Sequence, residues 1–542
     1  MKNYLLLFIL ISLFSCETKE TADLLVKNAS VYTVNENFDT ATAFVIKDGK
    51  IIEVGNTSDL EEKYNASETL DAKGNTIVPG LIDAHAHLYN LGKFLQRVDL
   101  FGTKSFEEVL ERIVAFQKEK NVEFILGRGW DQNDWEVKEF PTKDRLDELF
   151  PDTPVAIRRV DGHAILANSV ALKMAGITSE TKMAGGEVIL KDGELTGVLV
   201  DTPMSLVRAI TPDLSLREKI MALNEAEEIC MNLGLTTVSD AGLSREVIEL
   251  IDSLQQIGEM KLRVYAMISN TEKNLDYYLS KGKIKTDRLN VRSVKVYADG
   301  ALGSRGAVMK EPYSDQDGHY GAMITPMDEL ESLAERIAAA DFQMNTHAIG
   351  DSAVASVLRA YTSANVEKLG GRWRIEHAQI VTPSEFDLFS SNLIPSVQPT
   401  HATSDMYWAE DRVGADRIKG AYAYKSILKK SGMIALGTDF PIEKVNPMHT
   451  YYAAVARKDL DNYPEGGFNM KEALSRKEAL KGMTIWAAYA NFEEDEKGSI
   501  EVGKFADFVI LNSDIMTISA KALPKVKVEA TYINGVKVSV DK

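Results

Sequence analysis

Residues 77–88 read IVPGLIDAHAHL. The apolar run 77–82 has the character of a buried strand. It ends in Asp83, and two histidines follow one residue apart, His85 and His87. Alternate side chains of an extended chain point to the same face. Both imidazoles therefore project to one side of the strand end and could hold one metal ion between them. The pattern also fits two surface histidines after a strand, so the surrounding chain has to decide.

Further short apolar strand candidates follow at 235–239, 261–268, 293–298, 343–347, 374–377, 393–398 and 433–438. Helical stretches such as 216–231, 327–340 and 471–488 separate them. With the first run, 77–85, they make eight continuous apolar strands, the pattern of a parallel sheet covered on both faces. Eight is the number that closes an α/β barrel of the (β/α)8 TIM type. A doubly wound open sheet competes, but no Gly-x-Gly-x-x-Gly follows the first strand. The long gap after that strand, about residues 90–230, holds a strand candidate at 154–160 and hairpins around Gly186 and Gly193. It reads as a large insertion on the first strand-to-helix connection.

The two ends are β-rich. Runs 23–33 and 43–54, the second broken by Asp48-Gly49, stand near the N-terminus. Runs 506–511, 526–533 and 536–540, the last two joined by Asn534-Gly535, stand near the C-terminus. Neither end can bury a face alone, so the two are expected to pair into one small β-sandwich. The expected organisation is a leader and tether at 1–22, sandwich at 23–76, barrel at 77–488 and the rest of the sandwich at 489–542.

The chain of 542 residues is too long for one simple core. With 45% apolar and 26% charged residues it has an ordinary globular balance. Its formal charge of -18 argues against nucleic acid, which needs a basic footprint. Two cysteines, Cys16 and Cys230, leave no disulfide framework. The start, MKNYLLLFILISLFSCETKE, has a basic Lys2 and an apolar run, 5–14, too short to span a bilayer. It resembles a bacterial lipoprotein signal, cleaved before Cys16 and lipidated on that thiol. Phe14 is bulkier than the small residue often found there, and an ordinary secretory signal is the alternative. Either form implies export, and the first implies a membrane anchor in the cell envelope.

The chemistry-bearing residues fall at strand ends. Lys295 lies on the fourth strand in SVKVYADGALGSRGA, His347 ends the fifth in QMNTHAIGD, His377 ends the sixth in RIEHAQ, and Asp439 ends the eighth in IALGTDFP. Of eight histidines, four stand at C-terminal strand ends, the face on which barrel active sites are built. Single strand-end histidines are commonly satisfied polar residues; the set together points to a metal site.

That set, with IVPGLIDAHAHL, DGHAILANS, GLTTVSDAG, VKVYADGALGSRGA, NTHAIGD, RIEHAQ, SVQPTHATSD, LGTDFPIE and GSIEVGKFADFVIL, is similar to the YtcJ-like group (amidohydrolase family 3) of the metal-dependent amidohydrolase superfamily. The resemblance runs from about residue 23 to the C-terminus. It implies hydrolysis of an amide-type C–N bond in a small molecule. It implies His85, His87 and Asp439 as ligands of a first ion, and His347 and His377 as ligands of a second. It also implies a carboxylated Lys295 bridging the two. Zinc suits such a histidine-rich set. An uncarboxylated Lys295 would put a cation ~4 Å from two others, which Coulomb's law disfavours. The alternative for Lys295 is a salt bridge to Asp299 and a single ion. The implied mechanism is attack by metal-activated hydroxide, the pKa of bound water falling from ~15.7 to ~7. Asp439 would take the proton and deliver it to the leaving nitrogen.

Other positions are weaker candidates. His163 lies on the insertion, expected to fold over the barrel mouth, where it could meet substrate or a developing oxyanion. A structural role is its alternative. His401 follows the seventh strand and faces the mouth, a candidate for substrate contact. Arg305 could meet an anionic substrate or serve the surface. Trp130, Asp131 and Trp135 could line a pocket or pack the insertion. Asp83 and Glu376 are candidates for orienting imidazoles, although strand neighbours face opposite ways, which counts against Glu376 touching His377. His319 and His449 read as ordinary residues.

The expected function is amide hydrolysis, with N-substituted formamides and cyclic amides as candidate substrates. A deaminase of a heterocycle using one metal ion is the alternative, and an inactive binding lipoprotein a third. A homodimer stays open.

Overall fold

The computed structural model describes residues 19–366, 370–390 and 392–539; Cys16 and the leader lie outside the described residues. Eight parallel strands form the central sheet: β1 (Leu81–Ala86), β2 (Leu235–Leu243), β3 (Arg263–Ser269), β4 (Leu289–Tyr297), β5 (Gln343–Ala348), β6 (Trp373–His377), β7 (Leu393–Val397) and β8 (Ala435–Leu436). They pair in chain order. The seam between last and first is bridged by the Asp439 amide donating to the His85 carbonyl, and the His87 amide to the Phe440 carbonyl, each at 2.8 Å. All of β1 is buried, as a strand with both faces covered must be. The sheet is a TIM barrel.

The apolar run that predicted one strand over 77–85 serves two sheets. Thr76–Pro79 belongs to the sandwich, and β1 starts at Leu81. Gly80 makes the crossing: a Cβ there would stand 2.2 Å from Thr236 Oγ1, so no larger residue fits. The seam has a similar constraint, since a Cβ on Gly437 would lie 2.5 Å from the His85 amide nitrogen.

The two termini build facing sheets. One has the order Lys50–Gly55, Ala43–Lys47, Glu20–Lys27, Tyr64–Asp71. In the other, Thr76–Pro79 pairs with Phe508–Leu511, which pairs with Val528–Ile533. Phe44, Ile46, Ile77, Phe508 and Ile510 share the core between them, with Phe44 edge-on to Phe508 at 5.1 Å between ring centroids. Asp48-Gly49 and Asn534-Gly535 turn with positive φ, as two-residue hairpins demand. The strand Tyr64–Asp71 gave no sequence signal, because its residues YNASETLD are mostly polar and exposed.

The insertion carries its own six-stranded sheet, from Val98–Asp99 to Glu194–Asp201. The strand expected at 154–160 is Val155–Arg159. The hairpin turns at Asp192-Gly193, while Gly186 begins a strand and makes no turn of its own. The helix expected over 471–488 is two helices, Arg476–Gly482 and Ile485–Ala490, the first opened by a Ser475/Glu478 capping box.

Candidate metal centre

The barrel's C-terminal strand ends converge on one buried cluster. His87 Nε2 lies 3.2 Å and His85 Nε2 3.7 Å from Asp439 Oδ1. His401 Nε2 lies 3.5 Å from Asp439 Oδ2. Lys295 Nζ is 3.2 Å from His85 Nε2. The His377 ring stands between those of His85 and His347, with centroids at 4.8 and 4.5 Å. Donor atoms fall into two groups that could hold an ion: His85, His87 and Asp439, and His377, His401 and Asp439.

The strand geometry explains the first group. His85 and His87 point the same way because they are two apart in an extended chain. The seam hydrogen bond between Asp439 and His85 then fixes the carboxylate beside them. Asp439 and His377 both have positive φ, 63° and 75°, a sparsely populated conformation for residues with a Cβ.

Partners behind the rings set their tautomers. His85 Nδ1 faces Glu376 Oε2 at 2.5 Å, His87 Nδ1 faces the Ala241 carbonyl at 2.9 Å, and His377 Nδ1 faces Gln398 Oε1 at 2.7 Å. Each acceptor keeps the proton on Nδ1 and presents the Nε2 lone pair inward. Burial lowers the His85 pKa to about 4 and the His347 pKa to about 3, with Lys295 adding to both. Burial alone would raise Asp439; the surrounding rings of His87, His85 and His401 favour its ionised form and hold it below the usual carboxylate range. Neutral imidazoles beside an ionised carboxylate are the protonation states a cation requires. Asp439 Oδ1 and both ring nitrogens of His401 are buried without a hydrogen-bond partner. The orphaned Asp439 oxygen fits a bound divalent metal.

The structure brings His85, His87, Lys295, His347, His377, His401 and Asp439 to the wall of one cavity or its floor. His347 stands at its edge: its Nε2 faces the Gly300 carbonyl at 3.5 Å and Asp299 at 3.7 Å. The Lys295–Asp299 salt bridge is not formed, because Asp299 accepts the amides of Val308, Ile349 and Gly350.

Among the weaker candidates the structure decides between the roles left open. No insertion residue lines the cavity; His163 is largely exposed on the insertion and pairs with Asp201 at 2.7 Å. Trp130 and Trp135 are core of the insertion, their indoles bonded to the carbonyls of Ile157 and Thr103. Asp131 pairs with Arg159, and Arg305 pairs with Asp315. Asp83 orients no imidazole. It ties β1 to the residues after β8, accepting the Thr438 amide at 3.0 Å and its hydroxyl at 2.7 Å. Glu376 holds His85 across the barrel, a pairing that strand neighbours alone do not reveal. Gln398, Asp405 and Trp408 were also missed; the first two stand in the string SVQPTHATSD, whose polar residues at a strand end were the available signal.

A TIM barrel with these donors at its strand ends is the architecture of a metal-dependent hydrolase, and the family match places it among hydrolases of carbon–nitrogen bonds. The chain belongs to the amidohydrolase family, whose profile matches residues 68–539. It is 33% identical to the protein LONG AFTER FAR-RED 3 of Arabidopsis thaliana, covering 95% of this chain and 91% of that one. It is 32% identical to the putative amidohydrolase YtcJ of Bacillus subtilis, covering 93% and 97%. It is 27% identical to the N-substituted formamide deformylase of Arthrobacter pascens, covering 95% and 98%. A crystal structure of an uncharacterized metal-dependent hydrolase from Pyrococcus furiosus superposes with a TM-score of 0.77 at 29% identity, covering 91% of this chain and 100% of that one.

Proposed function

We propose that the protein hydrolyses the C–N bond of a small amide, with N-substituted formamides as the first class to test, and that Asp439 shuttles the proton. The observation that carries this is the placement of one carboxylate. Asp439 Oδ1 faces the His85 and His87 donors, while Oδ2 faces His401. A divalent ion held by His85, His87 and Asp439 would supply Lewis acidity and bring the pKa of water from ~15.7 toward ~7. Asp439 is ionised and positioned to accept a proton from water. It then returns that proton to the nitrogen, which cannot leave as an amide anion. His401, unpartnered on both nitrogens, is placed to hydrogen-bond the substrate or share the proton.

The fuller reading has two zinc ions, His347 and His377 serving the second, and a carbamate on Lys295. Burial lowers the Lys295 pKa to about 8, and the neutral amine is the form that adds carbon dioxide. The relative that acts on N-substituted formamides supports the substrate class. The apolar run 5–14 followed by Ser15-Cys16 supports a lipid anchor in the cell envelope.

The test is a metal-loaded screen of wild type beside Asp439→Asn against amides, formamides, lactams, cyclic ureas and heterocyclic amines, with bound metal counted per chain. The expected result is amide hydrolysis that falls by about 10²-fold or more in the variant. Equal turnover by both proteins would sink the assignment of Asp439. Ammonia release from a heterocyclic amine alone, with one ion per chain, would favour the deaminase.

A further inference from the structure

The cavity above the metal centre has a volume of about 380 Å³. Tyr297, Leu302, Ile349, Trp408 and Ile442 give it largely apolar and aromatic walls. Besides Asp439, two carboxylates interrupt those walls, Asp405 and Glu443, and among the described residues the only lysine or arginine lining the cavity is Lys295. Neither acid has an ion-pair partner among the described residues.

Asp405 is held in place. Its Oδ2 accepts the Tyr422 hydroxyl at 2.7 Å and the Gln379 amide at 3.2 Å. Its Oδ1 accepts only the hydroxyl of neighbouring Ser404, at 3.3 Å. Of the nearby cations, Arg305 and Arg412 both pair with Asp315. Lys444 and Lys458 line the adjoining cleft, which shares Glu443 as its wall. A separate observation marks the cavity as a place for a ligand. His401 is 8% exposed, lines it, and has no hydrogen-bond partner on either ring nitrogen.

A carboxylate set among apolar walls is stabilised by a cation that pairs with it. A carboxylate end placed against these two acids would be repelled, and a methyl end would make no ion pair with either. We propose that the substrate carries a positively charged amine, separated from the scissile C–N bond by an apolar spacer, and that Asp405 and Glu443 select it by that charge. The substrate class is a mono-acylated diamine; hydrolysis consumes one water and yields the carboxylic acid and the diamine. This inference rests on the reading of the site as an amide hydrolase.

Three N-formyl compounds with the same linear chain, ending in an ammonium, a methyl or a carboxylate group, test it with the metal-loaded full chain. The ammonium compound is expected to exceed the methyl compound by about tenfold or more in kcat/KM, with the carboxylate lowest. Asp405→Asn and Glu443→Gln should each shrink that ratio, chiefly through KM. Calorimetric titration with the free diamine gives a readout independent of turnover: binding that weakens with added salt and in Asp405→Asn. Turnover of the methyl compound as fast as the ammonium one, or no diamine binding, overturns the inference while leaving the hydrolase reading intact. Diamine binding with no turnover of any compound overturns the hydrolase reading and retains the cation site.

Discussion

Glu376 Oε2 and His85 Nδ1 meet 2.5 Å apart across the interior of the barrel, from β6 to β1. Both side chains are fully buried. Burial would raise the Glu376 pKa, but the Arg374 guanidinium, 2.7 Å from its other oxygen, and then His85 bring it down to about 2. The acid therefore stays ionised and fixes the ring whose Nε2 faces Asp439. Glu376→Gln is expected to lower metal affinity by about 10–100-fold, the usual effect of losing an outer partner of a ligand histidine. Stability should fall by about 3–5 kcal/mol, since a buried arginine loses its counter-ion. Chelator competition and urea unfolding read the two effects separately, and undiminished metal retention would refute the role given to Glu376.

Thr438→Val tests the barrel seam. The variant keeps the shape of the side chain but removes the hydroxyl bonded to buried Asp83. A cost of about 1–3 kcal/mol is expected, read as a lower Tm with the metal removed. A Tm equal to wild type would show that the seam does not need this bond.

His163 and His401 should separate cleanly. His163→Ala, on an exposed loop outside the cavity, is expected to stay within about 0.5 kcal/mol of wild-type stability and to keep its activity. His401→Ala should lose about 10²-fold or more in kcat, because it removes the group beside Asp439 Oδ2. Loss of activity in His163→Ala would mean that the insertion reaches the substrate after all.

Lys295 predicts a pH dependence in metal-free, carbon-dioxide-free protein. Burial lowers its pKa from 10.5 to about 8. At pH below 8 the folded protein carries a buried ammonium; between 8 and 10.5 the folded state gives up that proton before the unfolded state does. Stability therefore rises with pH through this window. Lys295→Met lacks this contribution, so its Tm advantage over wild type should be largest below pH 8 and shrink toward pH 10. A difference that stays constant across that range would contradict the assignment.

Much of this architecture was legible because its signals are local. Continuous apolar runs mark strands buried on both faces, and a strand end is where the next polar residue becomes available to a site. His85, His87, Lys295, His347, His377 and Asp439 were placed on that basis. What sequence could not show was pairing across space. Glu376 reads as the wrong neighbour for His377 and turns out to serve His85, because β6 and β1 face each other across the barrel. Gln398 behind His377 and Asp405 in the cavity wall depend on how the segment after β7 folds back. His163 was misplaced for the same reason: position in an insertion says nothing of which way its loop points.

The seam at Asp439 has a consequence for how the protein is made. Asp83 and Thr438, which join its two sides, are 355 residues apart. A chain that emerges N-terminus first, from a ribosome or across a membrane, presents Asp83 well before Thr438. Throughout that interval His85 and His87 exist without the carboxylate that completes their set. An ion taken up early would have only part of its ligands, so secure capture should come late, after the last barrel strand docks. A metal held by His85, His87 and Asp439 would then act as a clasp, joining the first and last turns of the barrel once both have arrived.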